Sequence, residues 1–258
     1  MKTAIYFDFD HTLFFNDKGV VLPQTMKLIK ALASREDVIL GLATGRSRSK
    51  IDIIDDLLPY FDHFVMINGS MLYIKDKLVA DFPIKKEDII EVIEAIQDRH
   101  INLGMVNEVS DCIIFDDQRV IDAMNALRIV HPDVNPNFHL EQDVYQLWIF
   151  ADDEKDIDYM ESTCTKFKCY PWHVGGADFI YPHVHKASGI NVLRSIDPYD
   201  RLIVVGDGTN DLQMIELADI GIAMGNARDE SIKEKAQYVA PHINEDKMYD
   251  FFESIGLI

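Results

Sequence analysis

Short continuous apolar runs alternate along the chain with segments whose apolar positions recur at helical spacing. Ala4 to Phe7, Val38 to Ala43, Phe64 to Ile67, Leu202 to Val205 and Ile220 to Ala223 lack polar alternation, as strands covered on both faces do. Pro23 opens a helix carrying Met26, Ile29 and Leu32 on one side. A further helical segment is expected from about Ser47 to Leu58, stopped by Pro59. Later, Lys186 opens a helix through Leu193, Met214, Ile215 and Leu217 mark another, and Gly225-Asn226-Ala227 turns the chain into the next. A last helix is expected over 246–255. Strands alternating with helices predict right-handed parallel crossovers and an α/β fold with a doubly wound, Rossmann-like parallel sheet.

The middle of the chain breaks this rhythm. Met71 to Asp81 reads as a hairpin leading away from the sheet. Glu87 to Gln97 is an amphipathic helix with Ile90, Ile93 and Ile96 among its apolar positions. Strands are expected over Leu103 to Val106, Cys112 to Phe115, Tyr145 to Phe150 and Phe179 to Tyr181, and a helix over Asp153 to Lys166. Arg128 to Gln142, with Pro132 and Pro136, shows no readable pattern. Strand–helix alternation resumes at His185. The expected organisation is therefore a discontinuous core of residues 1–82 and 183–258, with an α+β cap domain inserted over 83–182.

Composition narrows the partners. At 48% hydrophobic and 27% charged residues, the chain is an ordinary globular protein. No stretch has the length of a membrane span, and no charged leader with an apolar signal region precedes the first strand. Cys112, Cys164 and Cys169 are odd in number and lack metal-like spacing, so a cytoplasmic protein with reduced packing cysteines is expected. The net charge of −19 argues against nucleic acid or an anionic membrane as partner. It also means that any anionic substrate must be held by local cations.

Four polar clusters fall at expected strand ends or helix starts. Asp8 and Asp10 follow the first strand, one residue apart, so an extended backbone aims both carboxylates to one side. Thr44-Gly45 alone reads as a capping turn, Lys186 alone as a surface residue, and Gly206-Asp207-Gly208-Thr209-Asn210-Asp211 alone as a loop. Together they supply what phosphoryl transfer requires. Asp8, Asp207 and Asp211 offer oxygen ligands to a hard cation, for which Mg²⁺ is expected. The Thr44 hydroxyl and Gly45 N–H suit phosphoryl oxygens at a helix N-terminus, and Lys186 supplies a point charge.

Asp8-Phe9-Asp10-His11-Thr12, Ala43-Thr44-Gly45-Arg46, Asn68-Gly69, Lys186, the 206–211 loop and Gly221-Ile222-Ala223-Met224-Gly225-Asn226-Ala227, in this order, resemble the haloacid dehalogenase superfamily. Within it the chain is similar to the Cof-type (subclass IIB) sugar-phosphate phosphatases. One departure is His11, where these phosphatases usually carry Gly. The resemblance implies Asp8 as nucleophile forming an aspartyl-phosphate, and Asp10 as general acid and then base. It implies Mg²⁺ held by Asp8, the Asp10 backbone carbonyl and Asp207, with Asp211 supporting that site directly or through water. Thr44, Gly45, Lys186 and Asn210 would bind the phosphoryl group, and Asn68 and Gly69 the leaving group. Trp172, His173, Asp178, His183 and His185 surround the return from cap to core and are candidates either for a sugar pocket or for packing; Arg46 has no assigned role.

The function expected is Mg²⁺-dependent hydrolysis of a small phosphorylated metabolite, first of all a sugar phosphate, by a monomer or weak homodimer. Two alternatives stand beside it. A phosphomutase uses the same phospho-enzyme, and a non-enzymatic phospho-acceptor module also carries acids, a Thr and a Lys on a parallel sheet. The second leaves Asp10 and the inserted segment without a use.

Overall fold

The apolar run at the N-terminus forms a strand buried along its whole length, and the main sheet is laid out on either side of it. The computed structural model describes residues 1–97, 99–152 and 154–258. In chain order, β1 (Thr3–Phe7) is followed by a small antiparallel pair, β2 (Phe14–Phe15) and β3 (Val20–Val21). Helix α1 (Pro23–Ala33), β4 (Val38–Ala43), β5 (His63–Met66), β6 (Met71–Ile74) and β7 (Lys77–Asp81) complete the first part. A second group contains α2 (Lys86–Ile96), β8 (Asn102–Val106), β9 (Asp111–Ile113), α3 (Gln118–Leu127) and β10 (Asp133–Val134). It continues with α4 (Phe138–Glu141), β11 (Gln146–Phe150), α5 (Glu154–Thr163), β12 (Lys168–His173) and β13 (Gly176–Ile180). The chain returns through α6 (Lys186–Ile196), β14 (Arg201–Gly206), α7 (Leu212–Leu217), β15 (Ile220–Ala223), α8 (Glu230–Lys235), β16 (Tyr238–Val239) and α9 (Met248–Ser254).

Among the described residues the main sheet has the order β16-β15-β14-β1-β4-β5-β6-β7, and β16 through β5 are parallel. From β1 the chain builds outward through β4 on one side and later through β14 on the other. The order therefore reverses at β1, which opens a crevice at its carboxyl end where such sheets bind ligands. The 71–81 hairpin does not lead away from this sheet. It extends it as antiparallel strands, because Leu72 packs under Ala187 and Ile190 while Met71 and Tyr73 join the cluster on the opposite face.

The second sheet, ordered β10-β9-β8-β11-β13-β12, separates its faces by alternation along β8, β11 and β13. Leu103, Met105, Leu147, Ile149 and Phe179 pack against α2 and α5 through Ile89, Val92, Ile96, Ile157 and Met160. The buried stripe of α2 is thus shifted from the expected one: Ile90 is exposed and Ile93 only partly buried. The opposite face carries Val106, Trp148 and Phe150, which share one apolar cluster with Phe9 and Phe14 beside β1. That shared cluster seats the second sheet over the carboxyl end of the first. At Gly104 an added Cβ would lie 2.8 Å from the Trp148 ring, so a bare backbone is what lets that indole lie flat.

Three expected elements differ in form. The segment after Ser47 is a series of 3₁₀ turns at Arg48–Lys50, Asp52–Ile54 and Leu58–Tyr60. Its buried residues Ile51, Ile54 and Leu57 are spaced by three, the period of a 3₁₀ rather than an α-helix. The strand expected through Ile67 stops at Met66, since Ile67, Asn68 and Gly69 all take positive φ. The helix expected from Asp153 is present from Glu154 to Thr163, and Asp153 lies outside the described residues. Helix α3 was not anticipated, although Val120, Ala123 and Met124 form its buried stripe. No described helix is long and apolar enough to cross a membrane.

Candidate active site

The crevice at the end of β1 collects the polar clusters from four separate chain segments. Asp8 follows β1 directly and is 5% exposed. Lys186, the first residue of α6, reaches it from the far part of the chain, with Nζ 2.6 Å from Asp8 Oδ1 and 2.6 Å from Asp211 Oδ1. The other Asp211 oxygen accepts the backbone N–H groups of Asp207 and Gly208, each at 2.9 Å. Asp211 therefore shapes the loop that presents Asp207. Asn226 adds to this: its amide donates to Asp207 Oδ2 at 3.3 Å and to the His11 carbonyl at 2.9 Å.

Carboxylate oxygens of Asp8, Asp207 and Asp211 lie within 4.8 Å of one another, and the Lys186 ammonium pairs with two of them, Asp8 and Asp211. Burial, followed by the charge of Asp211, pushes Asp8 up to about 7 against the pull of Lys186. Burial and the charges of Asp8 and Asp211 push Asp207 well above the usual carboxylate range. Burial works against the Lys186 charge, but Asp211 and Asp8 outweigh it and hold the ammonium protonated. All-oxygen donors with net negative charge left over fit a hard divalent cation.

Asp10 is clamped by Arg46. The guanidinium donates to Asp10 Oδ2 from Nε at 2.9 Å and to Oδ1 from Nη2 at 2.6 Å, and Asn16 donates to Oδ1 at 2.6 Å. Arg46, which the sequence left without a role, also lies over the Phe9 ring at 4.8 Å. His11 takes φ 57°, the left-handed conformation that glycine accepts without a steric cost, and its N–H donates to Phe14 O and Asn16 Oδ1. The turn thus keeps its shape with a histidine where glycine was expected.

Thr44 and Gly45 follow β4, but no α-helix starts there, so the expected helix N-terminus is absent. The Thr44 hydroxyl accepts the Arg46 N–H at 3.1 Å. Gly45 lies so close to the next layer that an added Cβ would be 3.1 Å from Asn68 Nδ2 and 3.2 Å from Asp178 Oδ2. Gly69, at φ 104°, passes under α6, where a Cβ would meet the His185 carbonyl at 2.5 Å. Asn210 Nδ2 donates to Asn68 Oδ1 at 2.9 Å, and Asn68 Nδ2 donates onward to Gln146 Oε1 at 2.8 Å and Asp178 Oδ2 at 2.6 Å.

The cavity over these groups is about 390 Å³. Its floor includes Asp8, Asp10 and Asp207, and its roof Trp148, Tyr170 and Trp172. Of the five residues suspected around the return to the core, Trp172, His173 and Asp178 line it. His185 caps α6 by accepting the Ser188 N–H, and His183 stacks on Tyr181; neither lines the cavity. The sequence missed Asn16, Lys50, Asp111 and Gln146. Asn16 reaches the site through the local 10–16 turn, whereas Lys50, Asp111 and Gln146 are brought there by pairing across the layers, as in Lys50 Nζ to Asp111 Oδ2 at 2.6 Å.

Comparison with known proteins places this arrangement. A family model for haloacid dehalogenase-like hydrolases matches residues 5–252. YkrA of Bacillus subtilis is 27% identical over 98% of both chains. The 5-amino-6-(5-phospho-D-ribitylamino)uracil phosphatase YitU of the same organism is 26% identical, again over 98% of both. Among solved structures, the haloacid dehalogenase subclass IIB sugar phosphatase BT4131 superposes over 100% of both chains with a TM-score of 0.89 at 23% identity. The match runs from β1 to α9 and takes in every strand-end motif, and the chain belongs to the haloacid dehalogenase-like hydrolases of the Cof type.

Proposed function

We propose that this protein is a Mg²⁺-dependent phosphatase of small phosphorylated metabolites, sugar phosphates foremost, working through an aspartyl-phosphate on Asp8. The observation that carries this reading is the buried Lys186 bridge, 2.6 Å to Asp8 and 2.6 Å to Asp211, beneath the floor of the β1 crevice. It aims a buried carboxylate and neutralises part of the charge that an approaching phosphate meets. Asp8, Asp207, the Asp10 carbonyl and, behind them, Asp211 would hold Mg²⁺. When bound, it supplies Lewis-acid stabilisation of the transferring group.

An Asp8 oxygen forms a bond to phosphorus as the bond to the leaving oxygen breaks. Asp10 passes its proton to that oxygen, and the alcohol departs. In the second half Asp10 takes a proton from water, whose oxygen bonds to phosphorus while the Asp8–phosphorus bond breaks. Inorganic phosphate leaves and both carboxyl groups return to their starting states. Thr44, Gly45, Lys186 and Asn210 would bind the phosphoryl oxygens. Asn68 and Gly69 are buried and do not line the cavity, and Asn68 would act on the leaving group through Asn210 and Asp178, which do. The Trp148, Tyr170 and Trp172 wall supports a leaving group with a flat ring face, such as a sugar ring, with Asp178 accepting its hydroxyls. YitU, by its name, acts on a phosphoribityl chain bearing a uracil ring, which is in keeping with such a wall.

The test is phosphate release from a panel of phosphorylated metabolites, with Mg²⁺ and with chelator, for the native chain and Asp8→Asn. Metal-dependent release that disappears in the variant is expected. Retained turnover in folded Asp8→Asn would sink the mechanism. An isomerised sugar phosphate without free phosphate would point to a mutase.

A further inference from the structure

The Asp10 carboxylate is held from two sides, and both holders are in turn fixed by the end of one helix in the second layer. Arg46 grips it with two hydrogen bonds, and Asn16, 2% exposed, donates a third. Neither holder is anchored by the main sheet alone. Arg46 Nη2 also donates to the Leu127 carbonyl at 2.7 Å, at the C-terminus of α3. The next residue, Arg128, donates from Nη2 to the Asp17 carbonyl at 2.7 Å and from Nε to the Asn16 carbonyl.

These contacts follow from how α3 ends. The last carbonyls of a helix have no partner within it, and the helix dipole makes that end a favourable site for cations. Leu127 O is such a carbonyl, and a guanidinium fills it. Arg128 takes φ 55° as the helix cap, which turns its side chain out of the helical path and onto the 16–17 turn. The body of α3 packs through Val120, Ala123 and Met124 into the cluster that contains Phe9 and Phe14. Lys50, whose carbonyl accepts Arg46 Nη1 at 3.0 Å, is itself paired with Asp111 of β9.

We propose that Arg128 is a positioning residue for Asp10: seated on the Asn16–Asp17 turn, it aims the carboxyl group at the leaving oxygen only while α3 is docked on the core. The inference rests on the reading of Asp10 as proton donor and acceptor. With α3 lifted, Arg46 loses one of its carbonyl partners and Asn16 its backbone clamp, so the Asp10 side chain is released to rotate. Docking of the second layer over a substrate then assembles the acid at the moment it is needed. A positioned general acid contributes ~10²–10⁴-fold, and a misplacement of ~1 Å costs ~10²-fold.

The test compares kcat/KM for phenyl phosphate and p-nitrophenyl phosphate in the native chain, Arg128→Ala, Arg128→Lys and Asn16→Ala, each checked for folding by thermal melt. The two substrates present nearly the same ring to the pocket. Nitrophenolate leaves without a proton, whereas phenolate needs one. Arg128→Ala is expected to lose roughly 10-fold more on phenyl phosphate than on the nitro compound, with Asn16→Ala showing the same skew and Arg128→Lys restoring part of it. Equal losses on both substrates, or no loss on either, would overturn the proposal while leaving the phosphatase reading intact. A native chain inert to both, and to the metabolite panel, would overturn the phosphatase reading itself and this inference with it.

Discussion

Asn68 Nδ2 lies 2.6 Å from Asp178 Oδ2, joining the end of β5 in the main sheet to β13 in the second. Through Asn68 Oδ1 the same side chain accepts Asn210, so one asparagine connects the proposed phosphate loop to the pocket roof. Asn68 sits at φ 54°, between Ile67 at 50° and Gly69 at 104°, a run of left-handed backbone that only surrounding contacts can sustain.

Asn68→Ala should therefore weaken both layers at once. Asn210 and Asp178 would each lose a partner, and a buried polar group left unpaired costs about 1–3 kcal/mol. Urea unfolding should show a loss in that range, and KM for the best substrate should rise as the roof loses its anchor. An unchanged KM would separate the network from substrate binding.

Asp178 carries a pH signature. Burial pushes it up to about 7 from 3.8, against hydrogen bonds from Asn68 and Trp172 and the charge of Lys186. Its folded value lies above its unfolded one, so the folded chain keeps a proton that the unfolded chain has already released. Stability from this group is present at low pH, falls as pH rises from about 3.8 to about 7, and is level above. Unfolding free energies of the native chain minus those of Asp178→Asn should fall across that window. A difference that stays flat would place the Asp178 carboxyl in the ordinary range.

Mg²⁺ should raise the melting temperature without substrate, because it offsets carboxylates that one lysine leaves uncompensated. A ligand at ~100 times its Kd stabilises by about 2.7 kcal/mol. Asp207→Asn should diminish that shift, and chelator should abolish it. A shift of the same size in the variant would exclude Asp207 as a ligand.

His11→Gly should be tolerated and mildly stabilising. The left-handed conformation costs a residue with a Cβ about 1–2 kcal/mol, and the added flexibility of glycine when unfolded takes back about half of that. A gain of roughly 0.5–1 kcal/mol with turnover preserved is expected, read by urea unfolding and phosphate release. A large loss of turnover would instead make the imidazole part of the leaving-group site, whose cavity it lines.

What the sequence determined by itself is the part written in local periodicity and short spacing. The apolar runs of β1, β4, β14 and β15 announce strands covered on both faces, and their polar ends, Asp8, Thr44 and Asp207, mark the crevice because a parallel sheet gathers its carboxyl ends on one side. Tertiary structure alone decided what faces those ends. Arg46 finds Asp10 across 36 positions, Asn68 finds Asp178 across 110, and Arg128 finds Asn16 across 112. No periodicity encodes such pairs, since they depend on which strands lie side by side in the main sheet and on how the second layer seats over it. The 3₁₀ turns after Ser47 and the left-handed run at Ile67 have the same origin. There the backbone follows its long-range partners rather than its local propensity.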